Sequence, residues 1–277
     1  MTDAQFADFF NAVAPRLGLR AAGYRRVRGT VRKRLARRLT ELGLDLSGYA
    51  RHLEANPAEW QWLEASCRIT ISRFGRDAPV FEQLAARVLP ERAAAAQSSG
   101  QASLRIWSAG CASGEEAYAV AIAFRICVAP RHPGLGLEVL GTDLAPAVLA
   151  RARRGGYPPG CLRELPPALR TAAFERRQGE CFVLPSYRHG VRFELADLRG
   201  AAPPGLFDVV SCRNVAFTYF ATGLQQRVAG VLAGALRPGG VLIVGAGEAV
   251  PEGSAGLVAG EPCFYTRTGD LRAERGP

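Results

Sequence analysis

The stretch LRIWSAGCASGEEAY, Leu104–Tyr118, decides the fold of this chain. Its first seven residues, LRIWSAG, are apolar enough for a buried strand, and the run Gly114–Ala129 has the length and composition of a helix. A loop of small residues joins the two, and small residues allow a tight turn and a close approach of backbone to a ligand. This strand, loop and helix predict the first unit of a parallel α/β sheet.

Strands and helices continue to alternate towards the C-terminus. The predicted strands are Leu137–Asp143, Val191–Leu198, Phe207–Asn214 and Val241–Gly247, and the predicted helices are Ala145–Gly156 and Thr222–Leu236. The fold class is therefore α/β, a Rossmann-like doubly wound sheet that is mostly parallel. We expect Cys263–Arg267 to add an antiparallel edge strand, because no crossover helix precedes it.

The first part of the chain follows a helical pattern instead. Residues 1–90 predict an N-terminal all-α domain, and the small, polar composition of residues 91–103 predicts a linker. Residues 104–277 then form the α/β domain, with a short β-rich insert near 158–192 that contains the strand-like run Glu180–Leu184. A chain of 277 residues is long enough for one large and one small domain.

A helix predicted over Tyr24–Gly43 carries the densest positive patch of the protein. Apolar residues recur on it at three- and four-residue steps, and Gly43 supplies a stop signal. Such a face is either a solvated surface or a docking site for an acidic partner, and the net charge of +10 favours negatively charged partners. The cations of this helix are Arg25, Arg26, Arg28, Arg32, Lys33, Arg34, Arg37 and Arg38.

Cysteine and histidine usage argues against several kinds of site. The 7 cysteines are scattered without a CxxC pair, and the 3 histidines do not cluster with them, so we expect neither a metal site nor disulfides. No apolar run is long enough to cross a bilayer, and the acidic N-terminus does not resemble a signal peptide. We therefore expect a monomeric, cytoplasmic protein without membrane insertion.

The loop after the first strand, Ser108–Glu116, indicates the ligand. Ligands of doubly wound sheets bind beyond the carboxyl ends of the strands, and Gly110 lets backbone approach them closely. This loop has neither the three-glycine dinucleotide motif nor the GK[ST] of a P-loop. Glu115 and Glu116 at the start of the helix repel phosphates, but they suit a ligand with an ammonium group and hydroxyls. S-adenosylmethionine has both and carries no phosphate.

Acids at the next two strand ends extend this interpretation. Asp143 is expected to accept hydrogen bonds from ribose hydroxyls, although it could also cap the following helix. Asp197 can reach an adenine amino group or serve as a turn residue. The fold is thus expected to be that of a class I methyltransferase, with S-adenosylmethionine as the cofactor.

Several strings resemble the CheR-type protein-glutamate O-methyltransferases of bacterial chemotaxis. ISRFGRDAPVFEQL, Ile71–Leu84, is similar to the arginine motif that ends the helical domain of that family. The resemblance implies methyl transfer to glutamate side chains of a chemoreceptor-like protein that docks on the helix at 24–43. The other matching strings are IWSAGCASGEEAY (Ile106–Tyr118), GTDLAPAVLARARRGGY (Gly141–Tyr157), FDVVSCRNVAFTYF (Phe207–Phe220) and LRPGGVLIVGAGE (Leu236–Glu248).

The resemblance also implies roles for individual residues. Arg76 would pair with the carboxylate of the cofactor's methionine portion, and Thr70 and Ser72 stand at the preceding motif positions. Glu116 or Glu115 would meet the cofactor's amino group or a ribose hydroxyl. The remaining positions are Asp143 at the ribose, Asp197 and Leu198 at the adenine, and Arg213 and Asn214 beside the transferred methyl.

A glutamate acceptor would be ionised near neutral pH, since its ordinary pKa is about 4.3, and would need no general base. The site must then align the carboxylate with the methyl group and exclude water. We hypothesise that Arg213 or Arg76, together with Tyr219, positions the acceptor carboxylate, and that Asn214 holds the cofactor.

The sequence departs from the family at two points. Gly75 replaces an aromatic residue, and the string Cys212–Phe220 is one residue longer than usual. These changes leave another protein or a small-molecule carboxylate open as the acceptor. A nucleic-acid methyltransferase is disfavoured, because the Asn/Asp-Pro-Pro-aromatic motif of such enzymes is missing at Asn214. A non-catalytic binding module is disfavoured by the intact cofactor motifs.

Overall fold

The computed structural model describes residues 1–254 and 256–269. The chain divides into two compact units, which we call the helical unit (Met1–Ile69 with Thr218–Gln225) and the sheet unit (Thr70–Phe217 with Gln226–Pro277). Ala255 and residues 270–277, which belong to the predicted domain 104–277, lie outside the described residues.

The helical unit begins with four α-helices. A capping box of Thr2 and Gln5 starts the first, and the left-handed Gly43 (φ 66°) ends the second, as its sequence predicts. Short 3₁₀ turns lie at Ala14–Leu17 and Ala21–Tyr24. The helices are α1 (Asp3–Val13), α2 (Arg28–Leu42), α3 (Leu46–Ala55) and α4 (Pro57–Cys67).

The core of the helical unit includes a segment from much later in the chain. On α2 the apolar stripe buries Val31, Leu35 and Leu39, as predicted. The returning segment Thr218–Gln225 pairs with the chain at Leu19, and its Tyr219 carbonyl accepts a hydrogen bond from the Arg20 backbone N–H at 2.9 Å. The helical unit is therefore assembled from two separate stretches of chain.

The sheet unit alternates strands and helices. Two of its helices continue through a π turn, at Leu84–Val88 and Phe124–Val128, and a 3₁₀ turn follows at Ala129–Arg131. Its helices are α5 (Ala78–Gln83), α6 (Leu89–Ser98), α7 (Glu115–Ala123), α8 (Pro146–Arg154), α9 (Pro167–Ala173), α10 (Pro185–Arg188), α11 (Ala216–Tyr219) and α12 (Thr222–Ala235), the last two of which extend into the returning segment. Its strands are β1 (Ser103–Ala109), β2 (Gly136–Asp143), β3 (Gly156–Tyr157), β4 (Phe174–Arg177), β5 (Glu180–Val183), β6 (Val191–Leu195), β7 (Phe207–Ser211), β8 (Leu236–Ile243), β9 (Leu257–Ala259) and β10 (Phe264–Arg267).

The main sheet has the strand order β6-β2-β1-β7-β8-β10-β9 in the described residues. The pairs from β6 to β8 are parallel, whereas β10 is antiparallel to both β8 and β9. This arrangement confirms the predicted doubly wound, mostly parallel sheet with antiparallel pairing at one edge, where β9 lies outside β10. Strand order reverses between β1 and β7, so the carboxyl ends of these strands form the crevice in which a ligand binds.

Two local predictions differ from the structure. Residues 91–98 of the predicted linker belong to α6, because this alanine-rich run favours a helix and buries Leu89, Ala93 and Ala96 on one face. The predicted boundary at 90 thus falls inside a helical run, and the two units divide between Ile69 and Thr70. Residues 237–240, which separate the predicted helix Thr222–Leu236 from the predicted strand Val241–Gly247, are part of β8, where pairing with β7 shifts register.

The segment near 158–192, which the sequence predicts as a β-rich insert, contains strands β4 and β5 together with helices α9 and α10. Strands β3, β5 and β4 form an antiparallel sheet in that order, and β3 begins two residues before the predicted insert. A 3₁₀ turn at Pro159–Leu162 and helix α9 complete the connection. In the described part of the chain, no helix is long and apolar enough to span a bilayer, and no group of three potential ligand side chains forms a metal site.

Candidate active site

The loop after β1 is held in place by the end of β2. The backbone N–H groups of Gly110 and Cys111 both donate to the Thr142 carbonyl, each at 2.8 Å. Gly110 and Gly114 have φ values of 79° and 83°, a region that favours glycine. A Cβ on Gly110 would lie 2.7 Å from Cγ2 of Val215. Glycine is therefore required at position 110 both by the backbone conformation and by the close packing of the loop against Val215.

Asp143 at the end of β2 organises the same loop. One carboxylate oxygen accepts the Ala112 N–H and the other accepts the Ala145 N–H, both at 2.9 Å. These bonds join the β1 loop to Ala145, the residue before α8. The helix itself has no side-chain cap, so Asp143 does not have the capping role that the sequence left open. Each oxygen keeps a second acceptor site, so the ribose role is compatible with this geometry.

Glu115 and Glu116 lie next to each other in sequence but point into different environments. Glu116 accepts from the Ser108 hydroxyl at 2.8 Å and from Arg213 at 2.9 Å. Glu115 is fully buried, with Arg151 3.8 Å away, and neither of its carboxylate oxygens has a hydrogen-bond partner of good geometry among the described residues. Burial raises the pKa of Glu115, while Arg151 and the Ser72 hydroxyl act in the opposite direction.

Arg213, which follows β7, is the centre of the site. Its side chain is 6% exposed and donates to Glu116 at 2.9 Å, to Asp77 at 3.0 Å and to the Arg76 carbonyl. Burial acts to lower the pKa of Arg213, but the two carboxylates raise it, so the guanidinium stays charged. These contacts favour a positioning role over direct contact with an acceptor, since both terminal nitrogens are engaged.

Asp77 balances this buried charge. Burial acts to raise its pKa, but Arg213 and the Asn214 side chain hold the pKa below its ordinary value. A carboxyl with a lowered pKa in the folded state stabilises the fold at neutral pH, and this contribution is lost as the pH falls through that lowered pKa.

Asn214 and Arg76 face each other beside this cluster. The Asn214 side-chain oxygen accepts from Arg76 at 3.2 Å, and its nitrogen donates to Asp77 at 3.3 Å. Arg76 also donates to the Ile71 carbonyl at 3.1 Å. A guanidinium has five N–H donors, so Arg76 keeps donors for a further carboxylate such as that of a methionine moiety.

The segment that carries Thr70, Ser72 and Arg76 is clamped to the insert. The Phe74 N–H donates to the Cys161 carbonyl at 3.0 Å, and the Phe74 ring meets Tyr157 and Phe174 edge-on at 4.9 and 5.0 Å. Arg73 forms a 2.7 Å ion pair with Glu164. The position of Arg76 is thus tied to the insert.

Gly75 is required by this clamp. Its φ is 68°, and a Cβ would lie 2.6 Å from the backbone oxygen of Glu164. The family's aromatic ring is absent here because the backbone of the insert occupies the space next to Gly75. The sequence shows the missing ring but not the insert that approaches it.

Three further predicted residues have contacts that bear on their roles. Asp197 forms a bidentate pair with Arg199, with contacts of 2.9 and 2.6 Å. An adenine amino group would therefore have to share the Asp197 carboxylate with Arg199. Leu198, the next residue, is half-buried. Tyr219 belongs to the helical unit, where its ring packs against Tyr24 at 4.8 Å. Its predicted contact with the acceptor remains a proposal.

Sequence reasoning gave no role to two residues of this site, Asp77 and Glu248. Asp77 follows Arg76 directly and pairs with Arg213, which lies 136 positions away. Glu248 accepts the backbone N–H groups of Asn214 and Gly245 at 2.6 and 2.7 Å. Glu248 closes the quoted string LRPGGVLIVGAGE, and an acid just past a strand end was the available signal.

Residues 70–259 match the family described as CheR methyltransferase, SAM binding domain. This chain belongs to the CheR methyltransferase family. It is 35% identical over 201 residues to a chemotaxis protein methyltransferase of Listeria innocua, covering 72% of this chain and 73% of that protein. It is 33% identical over 263 residues to the chemotaxis protein methyltransferase of Escherichia coli, covering 90% of this chain and 85% of that protein.

The chain is therefore an S-adenosylmethionine-dependent methyltransferase of the CheR family, as its sequence motifs predict. The donor set fits this cofactor. Arg76 has spare N–H groups for a carboxylate, Asp143 has spare acceptor sites for hydroxyls, and the β1 loop is hydrogen-bonded to Asp143. When bound, S-adenosylmethionine supplies a methyl group on a positively charged sulfur.

Proposed function

We propose that this CheR-family enzyme methylates glutamate side chains of a chemoreceptor-like protein and forms methyl esters. The curated relatives at about a third identity are chemotaxis protein methyltransferases. A carboxylate acceptor is favoured by one observation. Glu116 and Asp77 are both held in ion pairs with Arg213. Neither acid is free to remove a proton from an amine or hydroxyl acceptor.

Several further candidate bases are also engaged or enclosed. His132 contacts Gln97 at 2.9 Å, and His52 contacts Asn56 at 3.1 Å within the helical unit. Glu115 is fully buried and cannot meet an acceptor. A carboxylate acceptor fits such a site, since its oxygen attacks the methyl carbon while the sulfur–methyl bond breaks, and no proton is transferred.

The geometry of the site supports the following proposed cofactor contacts. Arg76 binds the methionine carboxylate, Glu116 the amino group or a ribose hydroxyl, and Asp143 the ribose. Asn214 contributes its amide beside the transferred methyl, and Arg213 positions Arg76, Asp77 and Glu116. The remaining proposed contacts are those of Thr70, Ser72 and Gly110 at the methionine side, Asp197 and Leu198 at the adenine, and Tyr219 at the acceptor. The predicted contact of Glu115 with the cofactor is not proposed, because this residue is fully buried.

We further propose that the acidic partner docks on the basic helix at 24–43. Arg28 and Arg32 pair with Asp3, and Arg38 pairs with Glu59, so these cations serve the fold of the helical unit. Arg34 donates to the carbonyls of Ser66 and Arg68, and Arg37 pairs loosely with Glu41. Among the described residues, the cations of this helix with neither an ion pair nor a side-chain hydrogen bond to a carbonyl are Arg25, Arg26 and Lys33, all exposed.

The proposal also covers a monomeric, cytoplasmic enzyme. One chain carries every residue of the candidate cofactor site, from Arg76 to Asn214, so no second copy is needed to complete it. Light scattering of the purified protein checks the monomer.

The chemistry is tested by methyl labelling. The protein is incubated with methyl-labelled S-adenosylmethionine and membranes that contain chemoreceptors, and the products are separated by size. We expect protein-bound label that alkali releases as volatile methanol, because methyl esters hydrolyse in base whereas N-methyl groups do not. Alkali-stable protein label, label on a small molecule or label on RNA would each contradict the glutamate proposal.

The docking surface is tested by charge reversal. The double variant Arg25→Glu with Arg26→Glu is expected to raise KM for the receptor on the order of tenfold at low salt, since rim charges act on encounter and affinity. S-adenosylhomocysteine affinity should stay unchanged. The matched control is Arg131→Glu with Arg227→Glu, two exposed cations of the sheet unit. Equal KM effects of the two double variants would contradict docking on this helix.

A further inference from the structure

Glu248 joins the ends of the two strands that carry the site. One of its carboxylate oxygens accepts the N–H of Asn214, just after β7, at 2.6 Å. The same oxygen accepts the N–H of Gly245, just after β8, at 2.7 Å. Hydrogen bonds from backbone N–H groups to a carboxylate are among the stronger kinds in proteins.

The residue that Glu248 holds has an uncommon backbone conformation. Asn214 has φ 58°, in the left-handed region that few non-glycine residues adopt. This conformation turns its side chain towards Arg76 and Asp77, at 3.2 and 3.3 Å. An asparagine in this region costs free energy unless its surroundings hold it there.

The Glu248 carboxylate and the Asn214 side chain pack closely around Gly245. A Cβ on Gly245 would lie 2.8 Å from the Glu248 carboxylate and 2.9 Å from the Asn214 side-chain nitrogen. Gly245 thus leaves room for the Glu248 carboxylate and the Asn214 amide to lie side by side. The carboxylate and the amide form one packed unit at the end of the central strands.

We infer that Glu248 is a positioning residue of the methyl-transfer site, which acts by fixing the left-handed conformation of Asn214 and so the direction of its amide. The inference rests on the proposed place of Asn214 at the cofactor. Glu248 does not itself contact cofactor or acceptor in this role. Its carboxylate acts through acceptor geometry, so an amide oxygen at the same place can replace it.

The experiment measures S-adenosylhomocysteine affinity by calorimetry on the full chain. Glu248→Ala is expected to weaken binding about tenfold, because two backbone donors lose their acceptor and Asn214 is released. Glu248→Gln is expected to recover most of that affinity through its side-chain oxygen. Glu252→Ala, at an exposed acid of the same loop, serves as the control and should bind as the wild type does.

A double-mutant cycle separates positioning from general destabilisation. Asn214→Gly keeps the left-handed backbone without strain but removes the amide that Glu248 orients. We expect Glu248→Ala to have little further effect on affinity in the Asn214→Gly background, since coupled residues give non-additive changes. Additive losses, or a Gln variant as weak as the Ala variant, would overturn the inference.

These readouts do not depend on the acceptor. If the wild type binds S-adenosylhomocysteine but fails to label receptors, the proposed function is wrong. The role of Glu248 is then still decided by the double-mutant cycle with Asn214. Thermal unfolding of each variant, measured alongside, identifies any loss of affinity that follows from loss of fold.

Discussion

Arg213→Ala is expected to abolish measurable S-adenosylhomocysteine binding and to destabilise the protein by about 3–5 kcal/mol. The buried guanidinium neutralises Glu116 and Asp77, and its removal leaves two carboxylates without their cation. The released Arg76 carbonyl and Asp77 side chain would also free the segment that carries Arg76. Calorimetry and urea denaturation measure the two effects.

Arg192→Ala is the matched control for this variant. Arg192 lies on β6 and pairs with Glu194 and Glu138, but its side chain is 47% exposed, so its loss is expected to cost less than about 1 kcal/mol. A neutral triple variant, Arg213→Met with Glu116→Gln and Asp77→Asn, should regain stability without regaining cofactor binding. A stable Arg213→Ala protein with wild-type affinity would show that the cluster does not organise the site.

Gly75→Ala is expected to cost about 3 kcal/mol or more and to lower cofactor affinity together with stability. A left-handed φ of 68° penalises any side chain, and the added Cβ would meet the Glu164 backbone oxygen at 2.6 Å. Backbone cannot move aside as a flexible side chain can, so the insert must shift and pull on the clamp around Phe74. Urea denaturation and limited proteolysis of the insert report the change.

Gly100→Ala separates the cost of the left-handed backbone from the cost of the clash with the insert. Gly100 has the same φ of 68°, but no described atom lies within 4 Å of its missing Cβ, so its cost should be about 1 kcal/mol. Gly75→Phe, which restores the aromatic residue of the family, is expected to be less active than the wild type. A Gly75→Phe enzyme with full activity would mean that the insert yields readily and that Gly75 is not required by the clamp.

The sequence could predict those parts of the site that follow from periodicity. Strand ends are visible as the points where apolar runs stop, so Asp143, Glu116 and Arg213 could be placed at one edge of the sheet. Their partners could not, because Asp77 meets Arg213 across 136 positions and no local pattern encodes that contact. The same limit applies to Glu248, whose acceptor role depends on a left-handed Asn214.

The fold, too, was predictable from the sequence in some parts and not in others. The alternation of strands and helices predicted the order of the main elements, and the run Cys263–Arg267 predicted the antiparallel edge. The alanine-rich residues after Pro90 were interpreted as a linker because small residues suit linkers and buried helices alike. Burial of Ala93 and Ala96 in the core of the sheet unit decides for the helix, and burial is a tertiary property.

The returning segment Thr218–Gln225 makes the helical unit discontinuous, and this limits how the chain can be divided or synthesised. A fragment that stops at Ile69 would lack the Tyr219 ring that packs on Tyr24 and the acceptor for the Arg20 N–H. During translation the N-terminal helices must wait for residue 225 before their core is complete, although vectorial synthesis usually lets an N-terminal domain fold first. Gene fusions that exchange the N-terminal helices between relatives would therefore have to exchange this second stretch as well.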